Sequence, residues 1–242
     1  MVQKGLYVMQ KYLNTLNEND FNVFKEIESL RDKIIREDTN IEVLDYGAGD
    51  PDDNRTLQEM HQGVVKNVST RDLCKIGLKN DFAHLLYAII KKHQPETILE
   101  LGTCCGFSSI YMSKALKDKG TIHTIEGSPQ TAQVAQKNFK EARSLNIKPY
   151  TGRFSDVLPS ILPKITTIDF AFIDGHHDRD ATLQYFENIK PYLSKNAIVL
   201  FDDISWSKGM IEAWEIIKKD SSINSYEDYQ KVGLCFMRNA CV

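Results

Sequence analysis

Two apolar runs that end in acids have the residue types best suited to chemistry in this chain. They are Ile168-Asp169-Phe170-Ala171-Phe172-Ile173-Asp174 and Asn196-Ala197-Ile198-Val199-Leu200-Phe201-Asp202, the second followed at once by Asp203. As neighbouring strands they would lie roughly 4.8 Å apart, so at least two carboxylates converge at one edge of a sheet. Like charges that close require a cation, a proton or a donor. Successive strand residues face opposite ways, so Asp202 and Asp203 can share a partner only where the strand has turned. Three residues beyond Asp174 stands His177, and a neutral imidazole can take a proton from a hydroxyl. A histidine just after an acid-ended central strand lies at the mouth where open sheets bind ligands, although Asp178 and Arg179 beside it also fit a solvated loop.

A second constellation suggests what the ligand is. Thr97 to Ser109 reads as an apolar strand ending in Glu100, a glycine turn at Gly102, and a helix opened by Gly106 on which Phe107, Ile110, Tyr111 and Ala115 recur at helical spacing. The glycines stand as G-x-x-x-G and not as the G-x-G-x-x-G that cradles a dinucleotide, which makes an NAD-dependent oxidoreductase the weaker alternative. Thr121-Ile122-His123-Thr124-Ile125-Glu126 is a further strand, with Glu126 just before Gly127 and the helix signal Ser128-Pro129. A carboxylate at that strand end can accept both ribose hydroxyls of an adenosine held over the glycine turn; the competing reading is an acid capping a strand in solvent.

These residues need a frame. From Thr97 onward strands are predicted near 97–101, 121–126, 147–151, 168–174 and 196–202 with helices between them, followed by two short antiparallel strands from Tyr226 to Arg238 that meet at Gly233. Such alternation demands an α/β fold, a doubly wound and mostly parallel sheet covered on both faces. Lys79 to Lys91 is predicted to lead into the first strand as a helix, with Phe82, Leu85, Leu86 and Ile89 inward. Residues 1–75 read as an N-terminal helical cap or subunit contact, and residues 76–242 as the ligand-binding domain. On the cap, Phe24, Ile27, Leu30, Ile34 and Ile35 share one helix face, and Gly47 to Asn54 is a loop. Asp45-Tyr46-Gly47-Ala48-Gly49 imitates a nucleotide turn, but the polar Asp50 to Arg55 follows it, so it is expected to be a loop near the pocket.

Composition sets the outer bounds. With 42% hydrophobic and 26% charged residues the chain belongs with globular proteins, and a net charge of −3 without a basic block gives no footprint for nucleic acid. No apolar run reaches bilayer length and Met1 to Gln10 lacks a leader pattern, so a cytoplasmic protein is expected. Cys74, Cys104, Cys105, Cys235 and Cys241 form an odd set without a C-x-x-C pair, which suggests neither a disulfide framework nor a zinc site. Cys104 and Cys105 read as small packing residues in the turn.

The segments ILELGTCCGFSSIYMSKAL, TIHTIEGSP and GRFSDVLPSIL together resemble the class I S-adenosylmethionine-dependent methyltransferases, and among them the catechol O-methyltransferase branch. VLDYGAGD and FDDISWSKGMIEAWE are similar to an uncharacterised bacterial subgroup of these enzymes. The resemblance implies a Rossmann-like seven-stranded sheet and transfer of a methyl group from S-adenosylmethionine to a small-molecule acceptor, most naturally an oxygen. It implies that Glu100, Gly102 and Gly106 line the methionine end of the cofactor and that Ser108 supports it, with Lys79 and Thr103 also among the cofactor-binding residues. Glu126 and Gly127 would take the ribose, Phe154 and Ser155 the adenine, and His176 would stack on the base. Asp174, Asp202 and Asp203 fall where that branch binds magnesium, with Asp203 replacing its usual Asn; the alternative has no metal, Asp174 bonding the cofactor's amino group and Asp202 capping its loop. His177 falls at the position of the branch's catalytic lysine, and Trp206 is a candidate wall of the acceptor pocket. No Asn/Asp-Pro-Pro-aromatic sequence of an amino-methylating DNA enzyme occurs. A homodimer through the N-terminal region and a regulatory protein that binds the cofactor without turnover are further expectations.

Overall fold

A computed structural model describes residues 9–50, 52–117 and 119–238, so that the first eight residues and Cys241 lie outside the description. Helix α1 (Glu18–Glu37) starts at Asn17, whose side chain accepts the Asn19 and Asp20 N–H groups while the Asp20 carboxylate accepts the Asn17 N–H, a reciprocal capping box. It buries Phe24, Ile27, Leu30 and Ile34. Then come β1 (Asn40–Asp45), α2 (Leu57–Gln62), β2 (Val64–Ser69) and α3 (Thr70–Ile76). β1 and β2 pair antiparallel, so the N-terminal part contains a small sheet that the expected helical cap lacked. The outer edge of β1 is satisfied by side chains, with Leu44 N–H donating to Ser128 Oγ and Glu42 N–H to Gln130 Oε1. Ser128 therefore anchors this ribbon and makes no side-chain cap on the helix it precedes.

The remaining elements are α4 (Asn80–His93), β3 (Thr97–Leu101), α5 (Phe107–Ala115), β4 (Thr121–Glu126), α6 (Pro129–Glu141), β5 (Ile147–Thr151), α7 (Phe154–Ile161), β6 (Ile168–Ile173), α8 (Arg179–Ile189), β7 (Leu193–Phe201), α9 (Lys208–Ile217), β8 (Ile223–Asp228) and β9 (Gly233–Met237). The predicted doubly wound sheet is present, with seven strands in the order β5-β4-β3-β6-β7-β9-β8. β5 to β7 run parallel, and β9 returns antiparallel to β7 so that Gly233 pairs with Phe201. The two tail strands do not meet at Gly233 as expected; a turn over 229–232 separates them.

Strand alternation divides the core between the two faces. Ile98, Phe170, Phe172, Ile198 and Leu200 pack with α1, α4 and α5 on one face, whereas Leu99, Ala171, Ile173, Val199 and Phe201 pack with α7, α8 and α9 on the other. Each such large buried side chain contributes about 1.5–3 kcal/mol. The N-terminal helix joins the first of these clusters directly. There the buried Arg31 donates to the carbonyls of Cys74 and Leu78 at 2.9 Å each and lies 4.1 Å over the Phe107 ring, tying α1 to the start of α5.

At the carboxyl edge, Asp174 N–H donates to Leu101 O and Asp202 N–H to Ile173 O, so the three strand ends are stitched in sequence. Gly102 turns there at φ +106, and a Cβ on it would fall 1.8 Å from the Asp174 carbonyl oxygen. Gly102→Ala should accordingly cost roughly 3 kcal/mol or more through backbone strain and displacement. Urea denaturation measures this, and wild-type stability in the variant would show that the turn is not closed as described.

Candidate active site

The carboxyl ends of β3, β4, β6 and β7 open into a cavity of about 910 Å³, near the upper end of the range for small-molecule sites. The loop after β1, helix α2 and the β8–β9 turn complete its walls. Gly102, Glu126, Gly127, Phe154, Ser155, Asp174, His176, His177, Asp202, Asp203 and Trp206 all line it, so most of the residues singled out in the sequence come together.

Glu126 ends β4, and its two oxygens accept the Cys104 and Ser128 backbone N–H groups at 2.8 and 2.9 Å. Those bonds hold the carboxylate at the turn after β3. Burial nevertheless pushes its pKa up to about 7, with Asp45 and Glu100 adding repulsion. Among the described residues Glu126 has no side-chain cation partner, so its remaining acceptor capacity is open to whatever fills the cavity.

Aromatic rings stand on glycine floors beside it. A Cβ on Gly127 would meet the Tyr46 ring at 2.8 Å, and one on Gly175 would meet Phe154 at 2.9 Å. Phe154 packs edge-on against Tyr185, whose hydroxyl lies 2.8 Å from His176 Nδ1. Both His176 and His177 adopt positive φ, a strained geometry often found at functional sites. The His176 carbonyl accepts the Ala48 N–H, fastening the loop after β1 over this region. That loop, expected near the pocket, does line it through Tyr46 and Gly47, and is braced by Arg55, which donates to Gly47 O at 2.7 Å and pairs with Asp45 at 2.8 Å. Tyr185 had no local sequence signal, and Tyr46 and Arg55 were named only as parts of that loop region.

Five expected cofactor contacts do not line the main cavity itself. Glu100 is fully buried, accepting from Ser109 and from Thr124 Oγ1, its register partner on β4, and burial raises its pKa. Gly106 caps α5 at φ +84, where a Cβ would strike the Phe139 ring at 2.4 Å, so this glycine serves helix packing. Thr103 and Ser108 line a recess of about 20 Å³ that shares Gly102, Cys104 and Asp174 with the main cavity. Lys79 sits at the N-cap of α4 with its ammonium on the Lys75 carbonyl, away from the cavity lining.

The acid edge differs from expectation in its cation. Asp202 is nearly inaccessible, and both of its oxygens accept from Lys231 Nζ, at 2.7 and 2.6 Å. Lys231 Nζ also lies 3.0 Å from Asp203 Oδ1. Burial and Asp203 lift the Asp202 carboxyl, and the Lys231 ammonium on both of its oxygens opposes that rise. Asp203 has turned to φ +52, the condition set above, and its Oδ2 stands 3.8 Å from His177 Nε2. Asp174 faces the cavity with its pKa raised well above the ordinary carboxylate value, first by burial and then by Asp202. Asp174, His177 and Asp203 each place one potential ligand atom within 4.8 Å of the others. Trp206 lies beside this edge, its N–H on the Asp203 carbonyl and its indole Nε1 reaching Gly49 O at 3.4 Å.

Residues 99–204 match the family model of a methyltransferase domain. A catechol O-methyltransferase of Niastella koreensis is 38% identical over 96 residues, covering 39% of this chain and 42% of that protein. A catechol O-methyltransferase of Bos taurus is 26% identical over 198 residues, covering 76% and 68%. The chain thus spans about two fifths of the length of the bacterial relative. Among solved structures, an O-methyltransferase from Bacillus cereus in complex with SAH superposes with a TM-score of 0.59 at 21% identity, covering 67% of this chain and 83% of that one. The O-methyltransferase TomG from Streptomyces achromogenes in complex with SAM gives 0.58 at 21% identity, covering 68% and 82%. At that identity these two share a fold with the chain. Over residues 99–204 the chain is thus similar to methyltransferase domains, and over parts of its length to catechol O-methyltransferases.

Proposed function

We propose that this protein transfers a methyl group from S-adenosylmethionine to an oxygen of a small-molecule acceptor. The observation that carries the reading is the Glu126 carboxylate, fixed by two backbone donors at the mouth of the glycine turn and facing the cavity with no cation partner among the described residues. It suits a ligand that brings hydroxyl donors, as a ribose does. Phe154, Tyr46 and His176 offer apolar faces for a base, and Asp174 with the recess by Thr103 and Ser108 offers polar groups for an amino acid tail. When bound, S-adenosylmethionine supplies a methyl already activated by its sulfonium. The protein's task is then to align the acceptor and exclude water.

Held by Glu126 and the turn at Gly102, S-adenosylmethionine would supply the methyl to the acceptor oxygen, its sulfur leaving with the electron pair as the C–O bond forms. The hydroxyl proton would pass to the His177 imidazole, whose Nε2 stands 3.8 Å from Asp203 Oδ2. Trp206, Met60 and Leu57 give the acceptor side apolar surface, which suits a planar hydroxylated ring. The described cysteines Cys74, Cys104, Cys105 and Cys235 are free thiols, which supports a reducing compartment such as the cytosol. Among the described residues no helix is long and apolar enough to cross a membrane.

Magnesium does not suit the donors as they stand. It demands octahedral oxygen ligands, whereas Asp202 is spent on Lys231 and the set left at the edge is two carboxylates and an imidazole.

Three measurements test the reading. Native mass spectrometry should find S-adenosylmethionine or its demethylated product on the purified protein, and a screen of catechols should release S-adenosylhomocysteine; binding with no product from any hydroxyl acceptor would favour a regulatory protein. Because the Glu126 carboxyl must give up its proton to receive hydroxyl donors, affinity for S-adenosylhomocysteine should fall up to about tenfold per pH unit below about 7 and level off above it. Calorimetry across that range should also show Glu126→Gln binding roughly 10- to 100-fold more weakly without this slope. His177→Ala should lower kcat about 10²- to 10⁴-fold with cofactor affinity unchanged, and full turnover would remove the imidazole from the reaction.

A further inference from the structure

We infer that the Lys231 ammonium is the resident cation of the acid edge, standing where the catechol-type resemblance calls for a divalent metal, so that this site takes no such ion. The contrast with a metal rests on the methyltransferase reading above; the pairing itself rests on geometry. Lys231 Nζ contacts both oxygens of the nearly inaccessible Asp202 and one of Asp203, and Asp202 Oδ1 also accepts the Asp203 N–H, so three of the roughly four acceptor positions of this carboxylate are taken.

The fold places this lysine there and holds it. β9 pairs antiparallel with β7, which sets Gly233 opposite Phe201 and brings the preceding turn against the residues that follow β7. Within that turn, Lys231 N–H donates to Tyr229 O and Tyr229 N–H to Val232 O, while the Lys231 carbonyl accepts the Ile204 N–H at 2.9 Å. Backbone bonds therefore join the lysine to the Asp202–Ile204 loop independently of its side chain. On its far side the ammonium lies 5.9 Å from the Phe82 ring centroid on α4. Burial would push its pKa down, but Asp202, Asp203 and Asp174 outweigh this and hold it above the ordinary lysine value.

What remains for a metal is one atom each from Asp174, His177 and Asp203, with the ammonium bound to the same Asp203 carboxylate. Imidazole is a poor ligand for the hard cations that an all-oxygen set would select, and a dication on Asp203 would stand against a fixed positive charge. Asp202 and Asp203 against one ammonium still leave net negative charge at the edge, and Asp174, raised by burial beside them, adds to it when a cation approaches. That surplus matches a ligand bearing its own positive charges, a sulfonium and an α-ammonium, better than it matches a third cation of the protein's environment.

The test is a Mn²⁺ titration of the full chain followed by electron paramagnetic resonance, with S-adenosylhomocysteine binding measured by calorimetry on the same preparation. Wild type should leave Mn²⁺ free at millimolar concentration, and Lys231→Met, which frees Asp202, should bind it at least about tenfold more tightly. Lys231→Arg should behave as wild type. Saturable one-to-one Mn²⁺ binding by wild type, displaced by Mg²⁺, would overturn the inference, and this arm does not depend on any variant folding. S-adenosylhomocysteine binding beside such Mn²⁺ binding would leave the methyltransferase reading intact; no S-adenosylhomocysteine binding, with Mn²⁺ still excluded, would sink that reading and leave the lysine pairing standing.

Discussion

Charge compensation at the carboxyl edge of the parallel sheet is the constraint on which the rest depends. Parallel strands end together, so β6 and β7 deliver Asp174, Asp202 and Asp203 to one place, and the backbone bonds from Asp174 to Leu101 and from Asp202 to Ile173 leave them little room to separate. Buried like charges without a partner would be strongly destabilising. The antiparallel return of β9 answers this with a lysine at the tip of its hairpin. Closing the sheet and balancing its edge are thus one topological event.

The same edge is finished from the N-terminal side. Arg55 is almost wholly covered, and its bonds to Asp45 and the Gly47 carbonyl keep the loop after β1 folded back while Ala48 reaches the His176 carbonyl. The small β1–β2 sheet that bears this loop is itself docked on α6 through Ser128 and Gln130. Because Ser128 also donates its N–H to Glu126, the residue that anchors the ribbon is the one that positions the carboxylate proposed to hold the ribose. Cavity wall and ligand contact are therefore mechanically linked through a single serine.

Much of this was legible in the sequence, and the failures have physical causes. The long apolar runs announced the central strands because burial on both faces leaves no other composition. Glu126, Asp174 and His177 were legible for a related reason: a strand's last residue must emerge at the edge. Glu100 misled because it lies one residue inside that end, where parallel register sets it against Thr124 and turns it into the interior. β1 and β2 escaped because each is short and only partly buried, and their stability comes from distant side chains on α6. Lys231 escaped because one lysine in a turn carries no local pattern. Yet the antiparallel tail was foreseen, and an antiparallel neighbour of β7 must begin where β7 ends, so the hairpin tip was bound to meet Asp202.

The two raised carboxyls show how such a site trades stability for binding. A carboxyl whose folded pKa exceeds its unfolded value holds more protons in the folded state, so its contribution to stability is present at low pH and declines as pH rises from the ordinary 4.5 through about 7 for Glu126. Near neutrality Glu126 is poised between forms, and Asp174, likewise raised, faces the same cavity. A ligand with hydroxyl donors for one and an ammonium for the other would relieve both penalties at once. The free protein therefore keeps its electrostatic strain where a positively charged nucleoside can release it, while Lys231 confines the remaining acids to a structural pair that no ligand has to satisfy.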